Sequence, residues 1–173
     1  MRRFFTIIAA LLIATSLTAC GSGQNAATRN ITQVTDGVEV EVTQNGSVIK
    51  IVNLLLVATE NGDAVVVGTI INQGAETDQL LGIAVGGGAA TITGDTTLAQ
   101  NAPLRFEGER ANVKAVFSGV NAVAGRHVTL SLGFARAGLV TAEVIIRDKR
   151  DDYKNVTSNS VEATSSPDSP QPE

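Results

Sequence analysis

The feature that most constrains the fold of this chain is a set of short runs in which apolar and polar residues alternate. Residues 38–42 alternate strictly, and in residues 128–134 the even-numbered positions are apolar while the odd-numbered ones are small or polar. A period of two places the apolar side chains on one face of a β-strand. Few stretches have the spacing of a helix. The pattern therefore predicts a sheet protein in which each strand buries one face.

Turn-forming residues separate the predicted strands. Asn45-Gly46 divides the first two runs, and Asn61-Gly62-Asp63 divides the second from the third. These residue types tolerate positive φ, so hairpins are expected at both places. The predicted strands cover residues 38–42, 47–57, 64–71, 80–85, 90–93, 104–107, 113–117, 128–134 and 139–146.

The fold class follows from these strands and from the composition. Residues 33–148 have the length of one domain, and an all-β, single-domain β-sandwich is the simplest arrangement of such strands. The chain has no Trp and five Phe, so the core is expected to be mostly aliphatic. Cys20 is the single cysteine, which excludes a disulfide within the domain. Core packing must therefore stabilise it.

The N-terminus has the three parts of a secretory signal. Arg2 and Arg3 precede an apolar run over residues 4–14, and Leu17-Thr18-Ala19-Cys20 follows. The apolar run is too short to cross a membrane as a helix. Leu-Thr-Ala-Cys matches the lipobox of bacterial lipoproteins, which implies cleavage before Cys20 and a diacylglyceryl group on its sulfur. An ordinary signal peptide that leaves a free thiol, or an uncleaved anchor, is the alternative.

These features predict a simple domain organisation. Residues 1–19 are the signal peptide, and residues 20–32 are a lipidated spacer of small and polar residues. The sandwich covers 33–148. Residues 149–173 are rich in Ser, Thr, Pro and acidic residues, a composition that predicts a disordered tail. The protein is expected on the extracytoplasmic face of the cell membrane, held there by lipid.

The charge balance limits the partners. The chain has 13 basic and 17 acidic side chains, and cleavage before Cys20 removes two of the basic ones. An acidic chain without a basic cluster is unsuited to nucleic acid, whose phosphates need Lys and Arg. The expected partners are the membrane, through the lipid anchor, and an envelope protein that the sequence does not identify.

Residues that commonly carry catalysis or bind metals are scarce. His127 is the single histidine, and no methionine remains once Met1 is removed. Most nucleophile–histidine or metal constellations cannot be assembled, so we predict no catalytic residues and no enzyme. His127 is expected to be a solvated turn residue. The acidic residues Glu76 and Asp78 lack the spacing of a calcium loop and are expected to be solvated turn charges as well.

Three segments resemble the PCu(A)C family of periplasmic copper chaperones. They are residues 68–82, which contain Asn72-Gln73-Gly74 and Asp78-Gln79-Leu80-Leu81-Gly82, then Leu104-Arg105-Phe106-Glu107-Gly108, and residues 125–138 with their continuation over 143–146. The resemblance covers about residues 48–148 and implies a cupredoxin-like Greek-key β-sandwich. Actinobacterial lipoproteins of the LpqE type look most similar, since they too join a lipobox to this domain.

The copper ligands of that family are missing at the matching positions. The family binds Cu(I) through two His-x-Met pairs and a further Met, which are soft ligands suited to that ion. In this chain the second pair falls on Asn112 and Lys114, and the first falls near residues 90–94, where only Ala, Thr, Ile and Gly occur. A lysine there would repel a cation by about 4 kcal/mol at 4 Å and an effective dielectric of about 20.

The resemblance and the missing ligands favour one function over two others. The favoured hypothesis is a non-catalytic envelope lipoprotein whose domain has lost its metal site, binds no cofactor and serves as a binding or structural module. The alternative is a copper-handling protein that uses other ligands, such as His127 with carboxylates. A hydrolase is the weakest of the three.

Overall fold

The computed structural model describes residues 36–159, and these residues form an all-β fold. The strands are β1 (Val38–Gln44), β2 (Ser47–Ala58), β3 (Ala64–Asn72), β4 (Asp78–Val85), β5 (Gly88–Ala89), β6 (Thr91–Gly94), β7 (Thr97–Leu98), β8 (Leu104–Arg105), β9 (Val113–Phe117), β10 (His127–Phe134) and β11 (Gly138–Asp148). The predicted β-sandwich is confirmed, and each predicted strand coincides with an observed strand to within a few residues.

Strand β2 holds the two halves of the sandwich together. It pairs with β3 over nearly its whole length, with β1 along its first part, and in parallel with β11 at its end, where Ile146 lies opposite Leu56. A β-bulge at Asn53, whose φ is 53°, lies near the point where the partner of β2 on this edge changes from β1 to β11. Gly68 of β3 faces the bulge with φ 147°, and a Cβ there would lie 3.2 Å from the Leu54 Cα. A side chain at this position would strain φ and require the neighbouring backbone to shift, so glycine is favoured.

The segment over β5 and β6 nearly closes the sandwich into a barrel. The strands follow the order β5-β4-β10-β11-β2-β3-β9-β6, so β5 and β6 stand at opposite ends of it. Along the chain, however, they are separated by Ala90 alone. This short segment therefore pairs with β4 on one side and with β9 on the other.

Two apolar clusters stabilise the fold. The main core lies inside the sandwich and is aliphatic, with Phe106, Phe117 and Phe134 as its aromatic members. A second cluster lies on the outer face of β2, β3 and β9, because residues alternate between the two faces of a strand. Its members are Leu55, Val57, Val65, Val67, Val116 and Val156, with Ile145 and Tyr153 packed against them.

The start of the predicted disordered tail differs from the structure. Asp151–Tyr153 forms a short 3-10 helix, and Val156 is only 5% exposed because it packs in the outer cluster. The outer face of β2 and β3 is apolar and is stabilised by burial. Two apolar residues of this polar segment, Tyr153 and Val156, pack against that face and hold the segment on the sheet. The rest of the tail, 160–173, and residues 1–35, which include Cys20, lie outside the described residues. No helix among residues 36–159 is long and apolar enough to span a membrane.

The carboxylate of Asp78 joins three parts of the sandwich at one end. Asp78 is 3% exposed, so the expectation of a solvated turn charge is wrong. It accepts hydrogen bonds from the backbone N–H groups of Gln79, Arg136 and Ala137 at 2.8–2.9 Å, and from Ser47 Oγ at 3.2 Å. Burial alone raises the pKa of Asp78, but these hydrogen bonds outweigh it and hold the pKa below its ordinary value.

Replacing Asp78 with Asn should destabilise the fold by about 3 kcal/mol, since an amide nitrogen would face N–H or O–H donors in place of a carboxylate oxygen. Because the folded pKa is lowered, the carboxylate contributes its stability above pH 3.8 and loses it as the pH falls through the folded value. In urea unfolding, the difference in unfolding free energy between Asp78→Asn and the wild type should therefore be smaller at pH 3 than at pH 7. The exposed neighbour variant Glu76→Gln should match the wild type. Equal stability of Asp78→Asn at pH 7 would contradict this role.

Candidate functional site

Pairing of β6 with β9 brings most of the predicted ligand positions together. Thr93 lies directly opposite Lys114, and Thr91 lies opposite Val116. Residues opposite one another in an antiparallel pair point to the same face, so these side chains are neighbours on the outer face. Asn112 lies apart from them. It is exposed, accepts a hydrogen bond from the Arg105 N–H at 2.7 Å and donates one to the Pro103 carbonyl at 3.0 Å.

Lys114 is a buried cation on this outer face. Its neighbours Val113 and Ala115 point into the main core, so alternation turns Lys114 outward, and the C-terminal segment covers it. The residue is only 6% exposed. Its ammonium lies 3.3 Å from Glu107 Oε1 and donates a hydrogen bond to Thr157 Oγ1 at 3.4 Å.

The buried charge of the Glu107 carboxylate is compensated by this ammonium. Burial raises the pKa of Glu107, the nearby charge of Lys114 lowers it, and the net shift is upward. Oε1 is buried and has no hydrogen-bond partner among the described residues, so the charge of Lys114 is its main compensation. A buried ion pair of this kind adds little net stability, but loss of one partner is costly because the other charge stays buried.

A small cavity of about 220 Å³ borders the ion pair. Hydroxyl groups and the ammonium supply its polar surface, and the lining residues are Thr91, Thr93, Lys114, Val116, Ser118 and Ser158. Hydroxyl oxygens are hard ligands, and an ammonium is no ligand at all while it carries its proton. These residues do not fit Cu(I), which prefers thioether, thiolate and imidazole ligands.

His127 does not belong to a group of metal-binding side chains among the described residues. It is the exposed first residue of β10 and lies opposite Ile145 in β11. Among residues 36–159, no group of three or more His, Cys, Asp or Glu side chains is placed to hold a metal ion. The carboxylates that the copper alternative requires are therefore not gathered around His127 in the described part of the chain.

Comparison with known proteins identifies the fold. The chain has the fold of PCuAC domains, a cupredoxin-like β-sandwich. Similar solved structures are the copper-bound PCuAC domain from PmoF2 (18% identity, TM-score 0.53), the apo PCuAC domain from PmoF1 (22%, 0.52) and the apo PmoF2 PCuAC domain (19%, 0.52). Each comparison covers 64% of this chain and 97%, 98% and 94% of the respective domain. No protein-family model and no curated protein matches the chain.

Sequence reasoning located Lys114 but missed its two partners. Glu107 belongs to the Leu104-to-Gly108 segment of the resemblance, and Thr157 belongs to the segment whose composition predicts a disordered tail. A lysine within the apolar run 113–117 was the available signal, since a lysine is almost never buried without a partner. Glu107 lies just before β9 and Thr157 lies 43 residues after Lys114, and both contacts are visible only in the folded chain.

The ion pair predicts a specific pattern of stability. Lys114→Met keeps the length of the side chain but leaves the Glu107 carboxylate unpaired, which should cost about 2 kcal/mol at pH 7. Because the folded pKa of Glu107 is raised, its neutral form favours folding at low pH, and this advantage disappears as the pH rises through that pKa. Urea unfolding of Lys114→Met should therefore show a smaller deficit at pH 4 than at pH 7.

The double variant Lys114→Met/Glu107→Gln is the matched control. It removes both charges and should recover most of the lost stability, because no charge is left buried. A deficit that does not change with pH and is not recovered in the double variant would show that Lys114 contributes through packing alone.

Proposed function

We propose that this protein is a non-catalytic, lipid-anchored envelope lipoprotein whose PCuAC-like domain is a binding or structural module without a copper site. The observation that carries the proposal is the buried Lys114 ammonium beside Thr93 on β6. In this chain the site holds a cation of its own, already neutralised by Glu107. The Glu107 carboxylate is thus already engaged, and the Lys114 ammonium alone would repel a second cation at 4 Å by about 4 kcal/mol at an effective dielectric of about 20, before the opposing attraction of Glu107 is counted.

The C-terminal segment supports this proposal. Thr157 accepts a hydrogen bond from Lys114, and Ser158 lines the cavity beside it. Val156, anchored in the outer apolar cluster, holds the segment over the site. A chaperone must release its metal to a partner, and a covered site lined by hydroxyls suits that exchange poorly.

Metal titration tests the proposal. The chain from residue 20 onward, carrying Cys20→Ser so that no thiol interferes, should show no tight one-to-one binding of Cu(I) against a competing chelator. Lys114→Met should not create such binding, because one thioether does not complete a Cu(I) site. Tight one-to-one binding by the chain with Lys114 intact would contradict the proposal.

Copper handling through other ligands is the second candidate, and the likeness to a copper-bound PCuAC domain favours it. His127 would then be a ligand, and imidazole with carboxylates suits Cu(II) better than Cu(I). Titration with Cu(II), comparing His127→Ala with the unsubstituted chain, distinguishes the two candidates. Tight binding that His127→Ala abolishes would support this second candidate.

The lipid anchor is the second part of the proposal, and it rests on the lipobox at Leu17–Cys20. Two acyl chains on Cys20 would hold the protein at the membrane firmly, since each buried methylene contributes about 0.8 kcal/mol. The lipid supplies the membrane contact, and an envelope protein is the proposed partner. The domain requires no basic surface for either role.

The variant Cys20→Ser should move the protein from the membrane fraction to the soluble fraction, because the hydroxyl cannot form the thioether. Fractionation of cells with an antibody against the domain measures this shift. The released protein should unfold at the same urea concentration as the domain of the wild type. Retention of Cys20→Ser in the membrane, with acylation still detected, would refute the anchor.

A further inference from the structure

The end of the sandwich opposite Asp78 is open. A cavity of about 370 Å³ lies where β10 and β3 begin and where β2, β4 and β11 end. Its floor is formed by Leu56, Ala64 and Ile146, which belong to the main core and are at most 5% exposed. Side chains of the main core therefore form part of the cavity wall.

The mouth of this cavity carries exposed apolar side chains. Val120 and Val123, in the loop between β9 and β10, are 41% and 53% exposed and line it. The loop is held in place, because the Ala122 N–H donates to the Gly62 carbonyl at 3.2 Å and the Gly119 N–H donates to Asp63 Oδ1 at 2.9 Å. The pocket is thus formed before any ligand arrives, as in most small-molecule sites.

A cation stands at the rim of this apolar pocket. Arg126 and His127 are exposed and line the cavity, and the Arg126 side chain makes no ion pair within residues 36–159. The backbone of Arg126 is fixed, since its carbonyl accepts a hydrogen bond from the Ile146 N–H at 2.8 Å. A guanidinium above an apolar pocket is complementary to a ligand with an alkyl body and one carboxylate.

We propose that this pocket binds a free medium-chain carboxylate. The alkyl chain would lie against Leu56, Ala64 and Ile146, and the carboxylate would accept hydrogen bonds from Arg126, with the His127 imidazole as a further donor. The volume is at the small end of the range for ligand pockets, which suits one short alkyl chain and excludes a diacyl lipid. This proposal does not depend on whether the domain binds copper.

Calorimetric titration with decanoate tests the proposal on the chain from residue 20 onward with Cys20→Ser, which retains every described strand. Decanoate should bind one to one, and octanoate should bind about 15-fold more weakly, because each methylene is worth about fourfold in affinity. Decanol and decylamine, which lack the anion, should bind at least tenfold more weakly than decanoate.

Two substitutions locate the site. Arg126→Gln should weaken decanoate binding at least tenfold, and Val123→Asp, which places a like charge at the exposed mouth, should abolish it. Arg136→Gln is the matched control, since Arg136 is an exposed arginine just past the other end of β10, and this variant should bind as the unsubstituted chain does. Urea unfolding of each variant confirms that the fold is retained.

Three outcomes would overturn the proposal. Decanol binding as tightly as decanoate would remove the role of the cation, and equal binding by Arg126→Gln and Arg136→Gln would place the ligand elsewhere. No decanoate binding up to its solubility limit, with sedimentation showing a dimer that Val123→Asp dissociates, would instead assign the valine-lined mouth to a contact between two copies of this chain.

Discussion

The buried carboxylate of Asp78 is the interaction on which the rest of the sandwich depends. The carboxylate ties the start of β4 to the start of β2 through Ser47, and to the turn between β10 and β11 through the N–H groups of Arg136 and Ala137. These segments belong to both halves of the fold. Since N–H and O–H donors surround it, the charge satisfies groups that would otherwise be buried without partners. The Asp78 end is therefore held by a buried charge, whereas the opposite end is held by hydrogen bonds of the loop between β9 and β10 and leaves a pocket.

The outer face of the sheet carries a buried ion pair in this chain. PmoF2 has a copper-bound PCuAC domain, and this chain shares that fold at 18% identity. Here, Lys114 and Glu107 form an ion pair beside β6, and the segment around Val156 and Thr157 covers it. Because this ammonium is part of the Lys114 side chain, it does not enter or leave the protein as a bound ion does. Strand β9 of this chain thus contributes one half of a buried charge pair that the chain's own C-terminal segment covers.

The resemblance stated from the sequence agrees with the fold, and the structure gives its residues a physical meaning. Asn72 is fully buried and donates to the carbonyls of Glu76 and Leu98, and its own side-chain oxygen accepts from the Gly74 N–H. With Asp78, this residue shapes the connection from β3 to β4. The part of the resemblance that contains Asn72 and Asp78 therefore belongs to the framework of the fold.

The sequence by itself determined the strands, their turns and the aliphatic core, because alternation with period two and Asn-Gly turns act between neighbours in the chain. It also predicted that Lys114 falls at a ligand position. Only the tertiary structure decided that Asp78 is a buried hub, that Glu107 and Thr157 partner Lys114, and that Arg126 stands over an apolar pocket. Except for the Glu107–Lys114 pair, which is close in sequence, these features depend on segments far apart in the chain, whose contacts are set by strand pairing and by the need to cover apolar faces. The composition of residues 149–173 predicts a disordered tail, yet in the first part of that segment two apolar side chains pack against the uncovered face of the sheet.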